Sequence, residues 1–187
     1  MNDIDLIFNN FYNKNIQLSE NLIKNILHEI VGKNKKLLIF GMGHDSLLWY
    51  KANNEKNIIF VENDINYIKM NHQIKKRYIL KYSYNHSSVI KSLNNEIDCL
   101  KYTLPKKLER KKPFDIILID GPFAGIMCAI GREIPFYWSK NFLMHEKTKI
   151  FIDDINRDHE YNLLNKYFAY FQHEYFPERN GSIVLFL

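Results

Sequence analysis

Six positions in this chain form a pattern that can do chemistry: Gly41 and Gly43, Glu62, Asp120, and Asp153 with Asp154. Each stands at the end of a short, mostly apolar run: LLIF, IIFV, FDIILI or KIFI. Glycines lack a Cβ, so a turn built on them takes positive φ and lets a ligand come against the backbone. Glu62 follows nineteen residues after Gly43. There an acid can accept both hydrogen bonds of a ribose diol, and the interval matches the spacing of about 20 residues known for that role. A carboxylate at Asp120 is a candidate general base. With Asp153 and Asp154 it also offers the hard oxygen donors that suit Mg²⁺ or Mn²⁺.

Those roles require the runs to be strands with a common direction. Residues 37–40 and 58–61, and 114–119 and 149–152 apart from Asp115 and Lys149, are continuous apolar stretches of the kind found in strands buried on both faces. A further strand is expected over 78–82. Between them lie helical patterns: Ser19 as N-cap of a helix carrying Leu22, Ile23, Ile26, Leu27 and Ile30, with Gly32 as its stop, and helices from about Ser46, from about Asn66 and over 132–142. Residues 86–108 are expected to begin as a helix with Val89, Ile90 and Leu93 on one face, and Pro105 and the basic run beyond it break the pattern. Tyr161, Leu164, Phe168 and Phe171 mark a last helix. HEYFPERNGSIVLFL reads as an antiparallel hairpin around its Pro-Glu-Arg-Asn-Gly turn. Ile4, Ile7, Phe8 and Phe11 give a short helical lead-in within residues 1–31.

Strands alternating with helices predict an α/β, Rossmann-like fold: a mostly parallel sheet with helices on both faces and a ligand site at the carboxyl ends of its strands. At 187 residues one domain is expected, with 46% hydrophobic and 25% charged residues, as in ordinary globular chains. The net charge of +5 comes from three clusters: Lys33, Lys35 and Lys36; Lys75, Lys76 and Arg77; and the run 106–112. These read as solvated surface, with attraction to a nucleic acid or an acidic glycan as the functional alternative. No aromatic-and-basic strip marks a nucleic-acid enzyme. Cys99 and Cys128 have no metal-ligand spacing and are expected to be free thiols. The first residues lack the positive region of a signal peptide, and no apolar run reaches the ~20 residues of a membrane span. The expectation is a soluble cytoplasmic protein with no membrane partner.

An adenosine cofactor fits the glycine turn and Glu62, whether NAD or S-adenosylmethionine (SAM). A dinucleotide fingerprint wants a third glycine where this chain has Ser46, which favours SAM, as does the closing hairpin.

FGMGHDSLLW resembles the Phe-Gly-x-Gly-His-Asp-Ser-x-x-Trp signature of the plant glucuronoxylan 4-O-methyltransferase family. FDIILIDGP, followed after eight residues by Gly131-Arg132, is similar to the family's Asp-Gly-Pro…Gly-Arg segment, and FIDDINRDHE to its acidic strand end. The resemblance covers about residues 36–160. It implies a SAM-dependent methyltransferase fold, a bound SAM held by Gly41, Gly43 and Glu62, and methyl transfer to a sugar hydroxyl of a glycan. Phe40, His44, Asp45, Ser46, Ser83 and Asp120 complete the expected cofactor contacts. Asp45 or Ser46 serves equally as a helix cap. Asp120, His44 and Arg132 are the expected catalytic group, Arg132 by pairing its planar fork with a uronate carboxylate or, alternatively, with a neighbouring acid. Asp120, Asp153 and Asp154 are the expected ligands of a divalent metal, an arrangement similar to that of catechol-type O-methyltransferases. The apolar stretch FAGIMCAI suits a metal-dependent enzyme for small phenols instead, and a dinucleotide-binding oxidoreductase is the rival of another class. Trp49 and Trp138 are expected in the core.

Overall fold

Leu37–Phe40 forms β1 at the centre of the molecule, with all four side chains buried. Its pleat sends Leu37 and Ile39 to one face and Leu38 and Phe40 to the other, and each face meets its own layer of helices. This is why the run does not alternate in polarity. The structure is a computed structural model, and it describes residues 3–82, 103–122 and 132–187.

Seven strands follow the order β3-β2-β1-β4-β5-β7-β6. β2 (Ile58–Glu62) and β4 (Ile116–Ile119) flank β1 in parallel, and β3 (Ile79–Lys81) and β5 (Lys149–Asp153) continue the parallel sheet outward. The tail forms the expected hairpin, β6 (Gln172–Phe176) and β7 (Ser182–Phe186). β7 inserts antiparallel between β5 and β6. The order reverses beside β1, so the carboxyl ends of β1 and β4 open a crevice there.

On one face lie α1 (Asp3–Phe11), α2 (Glu20–Ile30), α3 (Ser46–Ala52) and α4 (Ile65–Met70). Ser19 caps α2 as expected, its Oγ accepting from Leu22 N at 3.2 Å. The other face carries α5 (Lys106–Glu109), α6 (Glu133–Trp138), which runs on into a π-turn at Ser139–Leu143, and α7 (Asp158–Phe168). Trp49 and Trp138 are fully buried, one on each face. Among the described residues no helix is long and apolar enough to cross a membrane.

Several boundaries differ from those expected. β4 starts at Ile116 because Asp115 closes the mouth of β1: its Oδ2 accepts from Lys36 N at 2.8 Å and its own N–H donates to Lys36 O at 3.0 Å. β3 is confined to Ile79–Lys81, since Lys76–Tyr78 is a 3₁₀ turn. Pro105 does not end a helix but starts one, its carbonyl accepting from Leu108 and Glu109. α7 buries Glu160, Leu163 and Phe168 and leaves Tyr161 55% exposed, so Tyr161 is not part of its core face. The helix expected around Val89 to Leu93 lies outside the described residues.

Ile117 is fully buried in the middle of the sheet. Ile117→Ala is expected to lower the unfolding free energy by about 2–5 kcal/mol in a denaturant melt, the range for an unrelieved core truncation.

Candidate active site

The carboxyl ends of β1, β2, β4 and β5 border one cleft of about 940 Å³. Its floor is the turn after β1. Gly41 takes φ +104°, and its missing Cβ is what allows the turn after β4 to lie against it. A Cβ on Gly121 would stand 2.6 Å from the Gly41 Cα. Gly43 has no positive φ. Its N–H donates to Ser46 Oγ at 2.9 Å, so Ser46 closes the turn from below. The helix cap expected from Asp45 does not form: its buried carboxylate instead accepts from the Trp49 indole at 2.5 Å. Asn71, which no spacing argument singles out, fastens the same turn to the end of α4 by donating to Gly43 O at 3.1 Å.

Glu62 binds the turn directly. Its Oε2 accepts from Met42 N at 2.6 Å, and its Oε1 accepts from the N–H groups of Asn63 and Asp64 at 2.7 and 2.6 Å. Burial raises its pKa, against the pull of these backbone donors. A carboxylate has about four lone-pair sites, so one remains on Oε2, facing a cleft that Glu62 itself lines. With Met42 N held by Glu62 and Gly43 N by Ser46, these two amides are spent inside the turn and are not free for an anion.

Across the cleft stand the acids. Asp120, Asp153 and Asp154 each bring an oxygen within 4.8 Å of the others. Burial, then the neighbouring charges of Asp153 and Asp45, push the Asp120 carboxyl well above the usual carboxylate range. Asp153 is raised by burial and next by Asp154, although Ser182 Oγ donates to its Oδ1 at 2.6 Å. Asp45 is likewise raised, chiefly by burial. Among the described residues no hydrogen bond reaches the Asp120 carboxylate, whereas Asp154 is heavily engaged. Its Oδ2 receives Arg132 Nη2 at 2.9 Å, and its Oδ1 receives Arg157 Nη2 at 3.0 Å and Asn180 Nδ2 at 2.9 Å. Asp154 also holds φ +60°. The donor set therefore fits a hard divalent cation through Asp120 and Asp153, with Asp154 as the poorest of the three ligands.

Arg132 takes the second of its two expected uses, pairing with neighbouring acids rather than facing a uronate. It is 2% exposed, and it donates to the carbonyls of Pro122, Asp153 and Asp120 at 3.2, 3.1 and 3.4 Å as well as to Asp154. Glu160 Oε1, buried and without a hydrogen bond among the described residues, sits 3.4 Å from its Nε. The fork is filled from within and has no place for a carboxylate of an acceptor. His44 is exposed on the cleft wall. Phe40 is fully buried and reaches the turn only through its carbonyl, which accepts from Asp120 N at 3.0 Å. Ser83, Tyr84 and the stretch 123–131 lie outside the described residues.

The cleft also has a wall that sequence spacing does not reveal: residues 14–18, between α1 and α2, and Arg179 and Asn180 from the β6–β7 turn. They are remote from the glycine turn along the chain, and only the closed sheet brings them there.

Residues 19–103 match the family described as IRX15/IRX15L/GXM. The chain is 28% identical over 157 residues to glucuronoxylan 4-O-methyltransferase 1 of Arabidopsis thaliana, covering 70% of this chain and 55% of that protein. It is 26% identical over 144 residues to glucuronoxylan 4-O-methyltransferase 2 of the same plant, covering 64% and 49%. The chain thus spans about half the length of the curated relatives it matches. Among solved structures it resembles the SAH-bound methyltransferase PaMTH1 of Podospora anserina, with TM-score 0.54, 13% identity and coverage of 100% and 88%. It also resembles the O-methyltransferase TomG of Streptomyces achromogenes in complex with SAM, with TM-score 0.56, 10% identity and coverage of 98% and 87%. The fold is that of the SAM-dependent methyltransferases, and the sequence is similar to the glucuronoxylan 4-O-methyltransferases, as its motifs led us to expect.

Two outcomes follow from this geometry. Gly121→Ala forces two backbone turns apart and is expected to lose about 1–3 kcal/mol of stability in a thermal or denaturant melt. The raised carboxyls of Asp120, Asp153 and Asp45 mean that the folded state holds more protons than the unfolded one between the ordinary carboxylate range and their elevated values. Their contribution to stability is therefore full below the ordinary carboxylate pKa and is lost as pH rises from there through the folded pKa values. Melting temperature measured against pH should show this decline, and Asp120→Asn should flatten it and raise stability at neutral pH.

Proposed function

We propose that this glucuronoxylan methyltransferase-like chain is a SAM-dependent O-methyltransferase acting on a sugar hydroxyl of a glycan. The observation that carries the reading is one cleft bordered both by a Gly41 turn tied to Glu62 and by Asp120, whose carboxyl pKa is raised by burial. Its relatives' names supply the acceptor class, glucuronoxylan.

In this reading the remaining lone pair of Glu62 accepts from a ribose hydroxyl of SAM, and the Gly41 turn gives the cofactor its close approach to the backbone. The acceptor hydroxyl attacks the sulfonium methyl in line. A C–O bond forms, the S–CH₃ bond breaks with its electron pair going to sulfur, and the hydroxyl proton passes to the ionised Asp120 carboxylate. A pKa raised by burial makes that carboxylate a stronger base than an exposed one. His44, on the cleft wall, orients the acceptor. Arg132 touches neither reactant and acts as a positioning residue, holding the Asp120 and Asp153 backbones in place.

A divalent cation, when bound, would be held by Asp120 and Asp153 with support from Asp154, and would supply Lewis acidity toward the acceptor hydroxyl. The cysteine usage goes with a cytoplasmic setting.

The test is transfer of labelled methyl groups from SAM to a glycan panel. Asp120→Asn is expected to slow transfer by about 10²–10⁴-fold at saturating SAM, the usual worth of a positioned acid or base. EDTA should suppress transfer, and Mg²⁺ or Mn²⁺ should restore it. Label moving only to small phenols, or undiminished transfer by Asp120→Asn, overturns the assignment.

A further inference from the structure

At the end of the sheet opposite the cleft, the amino ends of the strands border a second pocket of about 410 Å³. Ile58, Ile59, Tyr78 and Phe114 form its walls. Lys36, Arg77, Lys107 and Lys111 supply its charge. The three basic clusters, far apart in sequence, meet here: Lys36 precedes β1, Arg77 lies in the turn before β3, and Lys107 and Lys111 lie in and just beyond α5.

The acids at this end are already committed. Asp115 lies 3.6 Å from Lys35, Glu55 pairs with Lys51 and Lys75, and Glu109 pairs with Lys112 at 2.8 Å. Among the described residues none of the four pocket cations has a carboxylate partner. Neutral oxygens aim them instead. Lys107 Nζ donates to Ile79 O at 2.8 Å, Lys36 Nζ to Lys111 O at 3.3 Å, and Arg77 Nη2 to Tyr78 Oη at 3.1 Å. Burial, and next the charge of Lys111, push the Lys107 pKa down. Four like charges around one small cavity repel, and an anion placed among them relieves that repulsion.

We propose that this pocket binds one anionic sugar unit of an acidic polysaccharide, as a site separate from the transfer cleft. The proposal rests on the reading of the acceptor as a glycan. The pocket is half open, with Lys36, Arg77 and Lys111 exposed around it, and its volume is near the lower end of the roughly 300–1,000 Å³ typical of small-ligand sites, so it matches one compact unit. A nucleic acid asks for an open basic groove with rings free to stack on bases. Here Phe114 is buried, and the Tyr78 ring is occupied by Arg77 at 5.0 Å and Tyr50 at 5.6 Å.

The two pockets lie at opposite ends of a sheet covered by helices on both faces, so only a long acidic chain can occupy both. The site then lowers KM for long acidic acceptors and leaves kcat and short acceptors unaffected.

Isothermal titration of the full chain tests this with an oligogalacturonate, its carboxyl-reduced counterpart and a single-stranded oligonucleotide of equal charge. The double variant Lys36→Gln/Lys111→Gln is compared with the unsubstituted protein after a thermal melt confirms that both fold. The expected result is salt-sensitive binding of the oligogalacturonate, weakened at least about tenfold in the variant, equivalent to about 1.4 kcal/mol, with no binding of the reduced chain. Equal affinity of the variant, equal affinity for the reduced chain, or preference for the oligonucleotide overturns the proposal. If no glycan accepts methyl groups while this binding behaves as expected, the proposed reaction fails and the anion site stands. If transfer proceeds and the variant keeps both its affinity and its KM for long acidic acceptors, the site fails and the reaction stands.

Discussion

The buried guanidinium of Arg132 is the tie on which the cleft depends. The carboxyl ends of β4 and β5 and the start of α3 bring Asp120, Asp153, Asp154 and Asp45 into one neighbourhood, where burial and then neighbouring negative charge raise the pKa values of Asp120, Asp153 and Asp45. Unopposed, that arrangement pushes the strand ends apart. Arg132 takes Asp154 and three backbone carbonyls at once, from the ends of both strands and the turn between Asp120 and α6. Glu160, fully buried on α7, faces the same guanidinium, so the helix after β5 is held to the rim as well. A lysine cannot do this, since a single ammonium lacks the planar fork that reaches several acceptors in fixed directions.

The second constraint is steric. β1 and β4 are neighbours in parallel register, and their turns leave the sheet at the same level. Only two glycines allow the turns to touch, and the contact of Gly121 with Gly41 sets how far Asp120 stands from Glu62. The electrostatic tie and the glycine contact therefore act on the same turn from opposite sides. One fixes Asp120 relative to β5, the other relative to β1.

Much of this was legible in the residues. The apolar runs gave the strands because both faces of a parallel sheet are covered, and the acids at their ends marked the rim. Ser46, read as the odd member of a glycine fingerprint, proved to be the hydroxyl that closes the turn. Arg132 was visible as a residue with a role, but not which role, because its partner Glu160 lies 28 positions away with nothing in the sequence to link them. Tyr161 misled because apolar spacing on α7 counts a tyrosine as core while its neighbour Glu160 is buried by an ion pair, an inversion no hydropathy pattern encodes. The wall made by residues 14–18 and the Arg179 turn was illegible for a simpler reason: its members belong to loops whose position is set by the closed sheet.

Strand polarity explains why the charge of this molecule is divided as it is. In a parallel sheet all residues that precede strands gather at one end and all that follow them gather at the other. The acids follow β2, β4 and β5, and the basic clusters precede β1, β3 and β4, so the sheet carries carboxylates at its carboxyl end and ammonium groups at its amino end. A net charge of +5 is thus a poor description of what a ligand meets. A sugar polymer bearing carboxylates is repelled by the Asp rim taken alone. Arg157, Arg179 and Lys14 at the cleft margin offset that repulsion locally, and the cationic pocket offsets it at a distance.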